Sequence, residues 1–250
     1  MGLVCFDMDR VLVTHDSTWQ WVYDRLGVSN EESLIAYEAG ALHEWEWLQK
    51  DLRLIEGGCH RMLGRSVTVN DLRAWTENVP LDHGLDACIA GLLDDGHDVA
   101  IISGGMNAPA HRIAARFPST RPWVRRWGGI DPWVAATIDG RDSRLHVFSN
   151  GWLERRLGGV EAFGRYQVEM HGKGRIVQML QRRLGHGREA TMSIGDSMGD
   201  VSMFERSGFS ICWNPKDERP TRHSTLTLVP GSEGTLTLAL DAFRGYIASS

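Results

Sequence analysis

Four short apolar runs, each bounded by Gly or Asp and separated by stretches of helical periodicity, constrain this chain more than any other feature. Residues 2–7 (GLVCFD) end in a carboxylate, and 97–103 (HDVAIIS) end at Ser103 before two glycines. Residues 190–196 (ATMSIGD) and 209–213 (FSICW) complete the set. Runs this short and this apolar read as strands buried on both faces, the signature of a parallel sheet. The stretches 83–95, 107–116, 174–184 and 199–207 carry helical spacing. The alternation predicts an α/β fold, a doubly wound parallel sheet whose ligands sit at the carboxyl ends of the strands.

Two segments break that rhythm. Residues 15–81 hold no strand pattern but several helical stretches, with Ser17 or Thr18 and Asn70 as N-caps and Gly27 and Gly57 as stops. They predict a helical domain of 15–81 inserted into a core of 1–14 and 82–250. Residues 118–146, rich in Arg, Trp, Pro and Gly, read as an irregular insertion in that core. Arg112, Arg116, Arg121, Arg125 and Arg126 with Trp123 and Trp127 read first as a solvated or self-associating face, and second as a mark of an anionic partner or a bulky phosphorylated substrate. Tryptophan, at ten, outnumbers phenylalanine at seven and tyrosine at four. Trp19/Trp21 and Trp45/Trp47 lie on helices, where residues two apart diverge by about 200°. One of each pair should therefore face the core, a neighbour or the site.

Composition narrows the partners. The net charge of −5 makes no bid for nucleic acid or anionic membrane. No apolar run approaches the roughly 18 residues of a membrane span, and Asp7 and Asp9 interrupt the N-terminal apolar stretch, so it does not read as a signal peptide. Cys5, Cys59, Cys88 and Cys212 are scattered, which fits reduced thiols and a cytoplasmic setting. The ten histidines show no zinc spacing. The expected partners are a small molecule and, at most, a second copy of the chain in a homodimer.

The substrate class comes from what gathers at the strand ends. Asp7 and Asp9 leave the first strand, Ser103-Gly104-Gly105 follow the second, Lys173 opens a helix, and Asp196 and Asp200 flank a Gly-rich turn. Each alone reads as a turn, a cap or a surface residue; together they suit hydrolysis of a phosphate monoester. A carboxylate, Asp7, can attack phosphorus and split one hard displacement into two. Mg²⁺ suits an all-oxygen site of Asp7 and Asp196, with Asp200 binding the ion or orienting its waters. Asp9 can protonate the leaving alkoxide and then activate water. Ser103, the Gly104 amide and the Lys173 ammonium can neutralise phosphate oxygens.

The segments FDMDRVLV, ISGG, HGKGRIV and GDSMGDVSMF resemble the four motifs of the haloacid dehalogenase superfamily, and within it the phosphoserine phosphatase branch. The resemblance spans 1–116 and 147–215 and implies a Rossmann-like parallel-sheet core with a helical cap inserted between the first two motifs. It implies Asp7 as nucleophile, Asp9 as acid/base, and Mg²⁺ held by Asp7, the Asp9 backbone carbonyl and Asp196 with Asp200 assisting. Ser103, Gly104 and Lys173 would hold the phosphate. Dehalogenases of the superfamily lack the second acid, so Asp9 favours a phosphatase. Asp16 and Arg53 look like the branch's partners for the substrate ammonium and carboxylate, although Asp16 also suits the approach to a helix N-terminus and Arg53 a solvated helix face. Arg10, Val11 and Gly199 depart from the branch's pattern and set phosphoserine beside other organic phosphates, sugar and nucleotide phosphates included. A phosphotransferase or mutase of the superfamily and a non-catalytic phospho-ligand binder are the other readings.

Overall fold

The structure, a computed structural model, describes residues 1–117, 137–138, 141–142, 144–153, 159–160, 164–231 and 235–249. Arg121, Trp123, Arg125, Arg126, Trp127 and Trp133 of the Arg/Trp-rich segment lie outside the described residues.

β1 (Leu3–Phe6), β2 (Asp98–Met106), β5 (Leu145–Asn150), β6 (Thr191–Gly195), β7 (Phe209–Trp213) and β8 (Leu226–Leu228) form a six-stranded sheet in the order β5-β2-β1-β6-β7-β8. Every pairing in it is parallel. β3 (Thr137–Ile138) and β4 (Arg141–Asp142) make a separate antiparallel pair. The four expected strands are all present, β1 at the centre, and its side chains alternate across the sheet. Val4 and Phe6 join a core with α5 (Leu85–Asp94), α6 (Asn107–Ala114) and α9 (Thr237–Ser249). Leu3 and Cys5 join a second core with α7 (Lys173–Leu184) and Met203 of α8 (Val201–Phe204). This is the period-2 consequence of a strand covered on both faces.

Between β1 and α5 come α1 (Thr18–Leu26), α2 (Glu31–Glu38), α3 (Glu44–Leu63) and α4 (Val69–Thr76). Val22, Tyr23, Leu52, Ile55, Leu72 and Trp75 pack a third core, which reaches the sheet through Met106 and Trp152. Ser17 caps α1 by accepting from the backbone N–H groups of Trp19 and Gln20, and Gly27 ends it in the left-handed region at φ 60°.

Two helix boundaries differ from expectation. Asn70 is not a cap: Thr68 is, in a reciprocal box with Asp71. Gly57 does not stop α3, which runs to Leu63 and ends at Gly64 with φ 68°. The adjacent glycine serves contact instead, since a Cβ on Gly58 would stand 3.1 Å from both Leu26 Cβ and Val28 Cγ1. The stretch expected to be irregular also contains strand residues, including Leu145 and His146 of β5. That edge strand and β8 carry polar residues that hide them from an apolar-run reading, and α9 follows no strand signal. Among the described residues no helix is long and apolar enough to cross a membrane, and all four cysteines are buried and free.

Candidate active site

Parallel strands deliver their last residues to one edge, and the acids arrive there. Asp7 follows β1, its backbone N–H donating to Ile194 O at 2.9 Å. Lys173, the first residue of α7, lies buried between two carboxylates, with Nζ 2.9 Å from Asp7 Oδ1 and 2.6 Å from Asp200 Oδ1. The other oxygen of Asp200 accepts from the backbone N–H groups of Asp196 and Ser197 at 3.0 Å each, and from Ser197 Oγ at 3.1 Å. Gly195 permits this closeness: a Cβ there would stand 2.3 Å from Asp200 Cγ. Gly174 does the same for α7, where a Cβ would meet Ser202 O at 2.1 Å.

Asp9 sits apart from that cluster. Its Oδ2 accepts from Thr18 N at 3.1 Å and Thr18 Oγ1 at 3.3 Å, while its buried Oδ1 has no hydrogen-bond partner. Thr18 Oγ1 in turn accepts from Met106 N at 2.9 Å. One hydroxyl thus ties the β1 loop, the start of α1 and the end of β2. Gly105 makes room, for a Cβ there would lie 2.8 Å from Asp9 Oδ2 and 2.6 Å from Met8 Cε. Buried Ser103 accepts the Gly105 N–H at 3.1 Å, and Gly104 O accepts from Trp19 Nε1 at 3.0 Å. Trp19 also leans on Trp152 with ring centroids 5.7 Å apart.

Crowding buried acids shifts their protonation. Burial first, and then the charge of Asp7, push Asp9 up to about 8 against the lowering bonds from Thr18. Burial, Asp7 and Asp200 push Asp196 up to about 7, with Arg10 and Lys173 opposing. Asp7 rises through burial, opposed by Lys173. Burial disfavours the Lys173 ammonium, but Asp200 and Asp7 together hold it protonated above the usual lysine range.

Oxygens of Asp7, Asp196 and Asp200 lie within 4.8 Å of one another. An all-carboxylate set in which burial and mutual repulsion hold Asp7 and Asp196 above the usual carboxylate range fits a hard divalent cation such as Mg²⁺. Asp7 and Asp196 suit direct ligation, whereas Asp200, engaged at both oxygens, suits orientation. The Asp9 carboxylate is turned to Thr18 and takes no part in the cluster.

The two entrance residues separate. Asp16 stands at the rim, paired through Oδ1 to Arg10 Nη1 at 2.6 Å and through Oδ2 to Lys216 Nζ at 2.8 Å. Arg53 lies on α3 beside a surface cavity of about 540 Å³, with Asn30, Lys50 and Asp51. Arg112 and Arg116 hold elements together: Arg112 Nη2 donates to Val79 O at 2.7 Å, and Arg116 Nε to Asp86 Oδ1 at 2.6 Å. Thr18, Arg10 and Lys216 were not among the expected site residues. Nor was Glu44 of α3, which accepts from Tyr166 Oη at 2.9 Å and Met170 N at 2.8 Å in the loop before Lys173. Two of these left a trace in the sequence, Thr18 as a hydroxyl at a helix start nine residues after Asp9 and Arg10 as an unusual cation beside it.

Comparison with known proteins agrees with this architecture. A model of haloacid dehalogenase-like hydrolases matches residues 169–228. A phosphoserine phosphatase of Methanocaldococcus jannaschii is 24% identical over 216 residues, 86% of each chain. One of Archaeoglobus fulgidus is 25% identical over 221 residues, 86% of this chain but 53% of that protein, so this chain spans about half its length. A solved phosphoserine phosphatase carrying a phospho-aspartyl intermediate analogue superposes with a TM-score of 0.67 at 20% identity, covering 96% of this chain and 98% of the other. In its motifs and its sheet the chain is thus similar to haloacid dehalogenase-like hydrolases, and to phosphoserine phosphatases among them.

Proposed function

We propose that this chain is a Mg²⁺-dependent phosphomonoesterase that hydrolyses a small phosphorylated metabolite through an aspartyl-phosphate, in the cytoplasm. The observation that carries the reading is a division of labour between two carboxyls two residues apart. Asp7 meets the Lys173 ammonium, which favours its anionic, nucleophilic form. Asp9, pushed up to about 8, keeps a proton to give at neutral pH. Bound by Asp7 and Asp196, Mg²⁺ would supply the charge neutralisation that lets a carboxylate approach a phosphate.

In the first step an Asp7 oxygen bonds to phosphorus as the ester P–O bond breaks, and Asp9 gives its proton to the departing alkoxide. In the second, the Asp9 carboxylate takes a proton from water, and the hydroxide bonds to phosphorus. The P–O bond to Asp7 breaks, and inorganic phosphate leaves with both acids restored. Lys173, Ser103 and the Gly104 amide hold the phosphoryl oxygens. The helices of 15–81 act as a cap over the core of 1–14 and 82–250, and Trp19 closes it onto Gly104.

The relatives' names make phosphoserine the first substrate to assay. Phosphate release from a panel of monoesters with Mg²⁺ tests the reaction itself. Asp7→Asn should lower it at least about 10³-fold; a silent wild type across the panel, or a variant equal to it, refutes the reading.

A further inference from the structure

The resemblance to phosphoserine phosphatases sets Asp16 against a substrate ammonium, and here that acid is already taken. It is more than half exposed at the rim, yet Arg10 Nη1 lies 2.6 Å from one carboxylate oxygen and Lys216 Nζ 2.8 Å from the other. These contacts hold its carboxyl below the usual range. An incoming ammonium would have to displace one of two cations already in place. Arg10 is also fixed from other sides, with Nε 2.8 Å from Asp196 Oδ2 and Nη2 donating to Asn214 O at 2.9 Å. Its backbone stands at φ 64°, a left-handed conformation that crowds the Cβ of a non-glycine residue. Such a conformation persists only where its surroundings hold it, and the three partners of the guanidinium do so. The rim thus sets two cations, Arg10 and Lys216, against one exposed acid.

We infer that the preferred substrate is a phosphomonoester bearing a carboxylate, and no ammonium, on the carbons next to the ester. This rests on the phosphomonoesterase reading and narrows its substrate class. The mobile end of Lys216, more than half exposed and held by a single pair, is the group free to turn from Asp16 to an incoming carboxylate. A substrate ammonium at the same place meets repulsion from both cations.

Four probes resolve the charges at matched size: 3-phosphoglycerate (carboxylate, hydroxyl), phosphoserine (carboxylate, ammonium), glycerol 3-phosphate (neither charge) and phosphoethanolamine (ammonium alone). The kcat/KM for 3-phosphoglycerate should exceed that for phosphoserine at least about tenfold, with phosphoethanolamine slowest. Lys216→Ala should shrink that ratio, and so should Arg10→Gly, which removes the guanidinium where glycine suits the backbone. A wild-type ratio of one or less, or a ratio that neither substitution moves, overturns the inference. Asp7-dependent hydrolysis of p-nitrophenyl phosphate separates the two failures. If it is absent, the reaction reading falls, and calorimetric affinities for the same probes decide the selectivity, with phosphoserine binding as tightly as 3-phosphoglycerate, or neither binding, counting against it.

Discussion

Replacing Lys173 by methionine keeps the length of the side chain and removes its charge from among three buried acids. The ammonium lies 2.9 Å from Asp7 and 2.6 Å from Asp200, and the residue is 4% exposed. Removing one partner of a buried pair leaves an uncompensated charge and costs about 3–5 kcal/mol. At about 2–4 °C per kcal/mol for a chain of this size, Lys173→Met should lower the Tm by about 6–20 °C at pH 8 in chelator. The sign with pH follows from two neighbouring acids. The folded-state values of Asp196 and Asp9 are raised, to about 7 and about 8, so the folded protein takes up protons before the unfolded chain does. Their contribution to stability therefore grows as pH falls from 8 toward 4. Losing Lys173 raises them further, so the deficit of the variant should shrink to less than about half at pH 5. Mg²⁺ should recover part of it at pH 8, because a dication among the carboxylates replaces the missing charge. Calorimetric melts of both proteins at pH 8 and pH 5, with chelator and with Mg²⁺, measure all three effects. A deficit below about 1 kcal/mol at pH 8, or one that does not change between the two pH values, refutes the compensation argument.

Three further outcomes are expected. Asp9→Asn should slow alkyl phosphates by about 10²–10⁴-fold but p-nitrophenyl phosphate much less in the first step, since that leaving group needs no proton; single-turnover rates on both esters check it. Gly105→Ala drives a methyl against Asp9 Oδ2 and Thr18 Oγ1, each 2.8 Å from the new carbon, so kcat should fall while KM changes little, as steady-state rates will show. Burial, with Arg165 and Arg73 beside it, pushes His111 down to about 3, whereas an unfolded histidine titrates near 6.5. The unfolded chain then gains the proton first, so this group costs about 2 kcal/mol of stability between pH 7 and pH 5. Urea midpoints of His111→Gln should lack that loss, and parallel wild-type and variant curves would count against it.

The core of the fold was legible because its determinants are local. β1 and β6 are short, continuous apolar segments that end in their own functional acids, Asp7 and Asp196. A parallel sheet then brings those ends together without further information. Elements whose stability comes from elsewhere were not legible. β5 carries His146, Ser149 and Asn150, and as an edge strand it pairs, among the described residues, with β2 alone. The end of α3 misled for a related reason: glycine has two uses, freeing the backbone and letting neighbours approach, and only packing tells them apart. At Gly64 the positive φ decides; at Gly58 the contacts with Leu26 and Val28 do.

The same distinction divides the chemistry from the choice of substrate. Asp7, Asp9, Asp196 and Asp200 come from two short motifs, so residue types and spacing announce them. The rim is assembled from Arg10 and Asp16 on the β1 loop and Asn214 and Lys216 just after β7, some two hundred positions away in the sequence. No local pattern says that Lys216 will cap one oxygen of Asp16 while Arg10 takes the other. Arg10 could be noted in the sequence only as an unusual cation beside Asp9; its direction, toward Asp16 and Asp196, is a property of the fold. The tryptophans behave alike. Trp19 reaches Gly104 O and Trp152, Trp21 donates to Trp75 O at 2.8 Å, and Trp45 meets Tyr166, so three of the four paired indoles join elements distant in sequence. Substituting Lys216 therefore tests selectivity with Asp7, Asp9, Asp196 and Asp200 undisturbed, whereas substituting Trp19 tests how the helices of 15–81 meet the sheet.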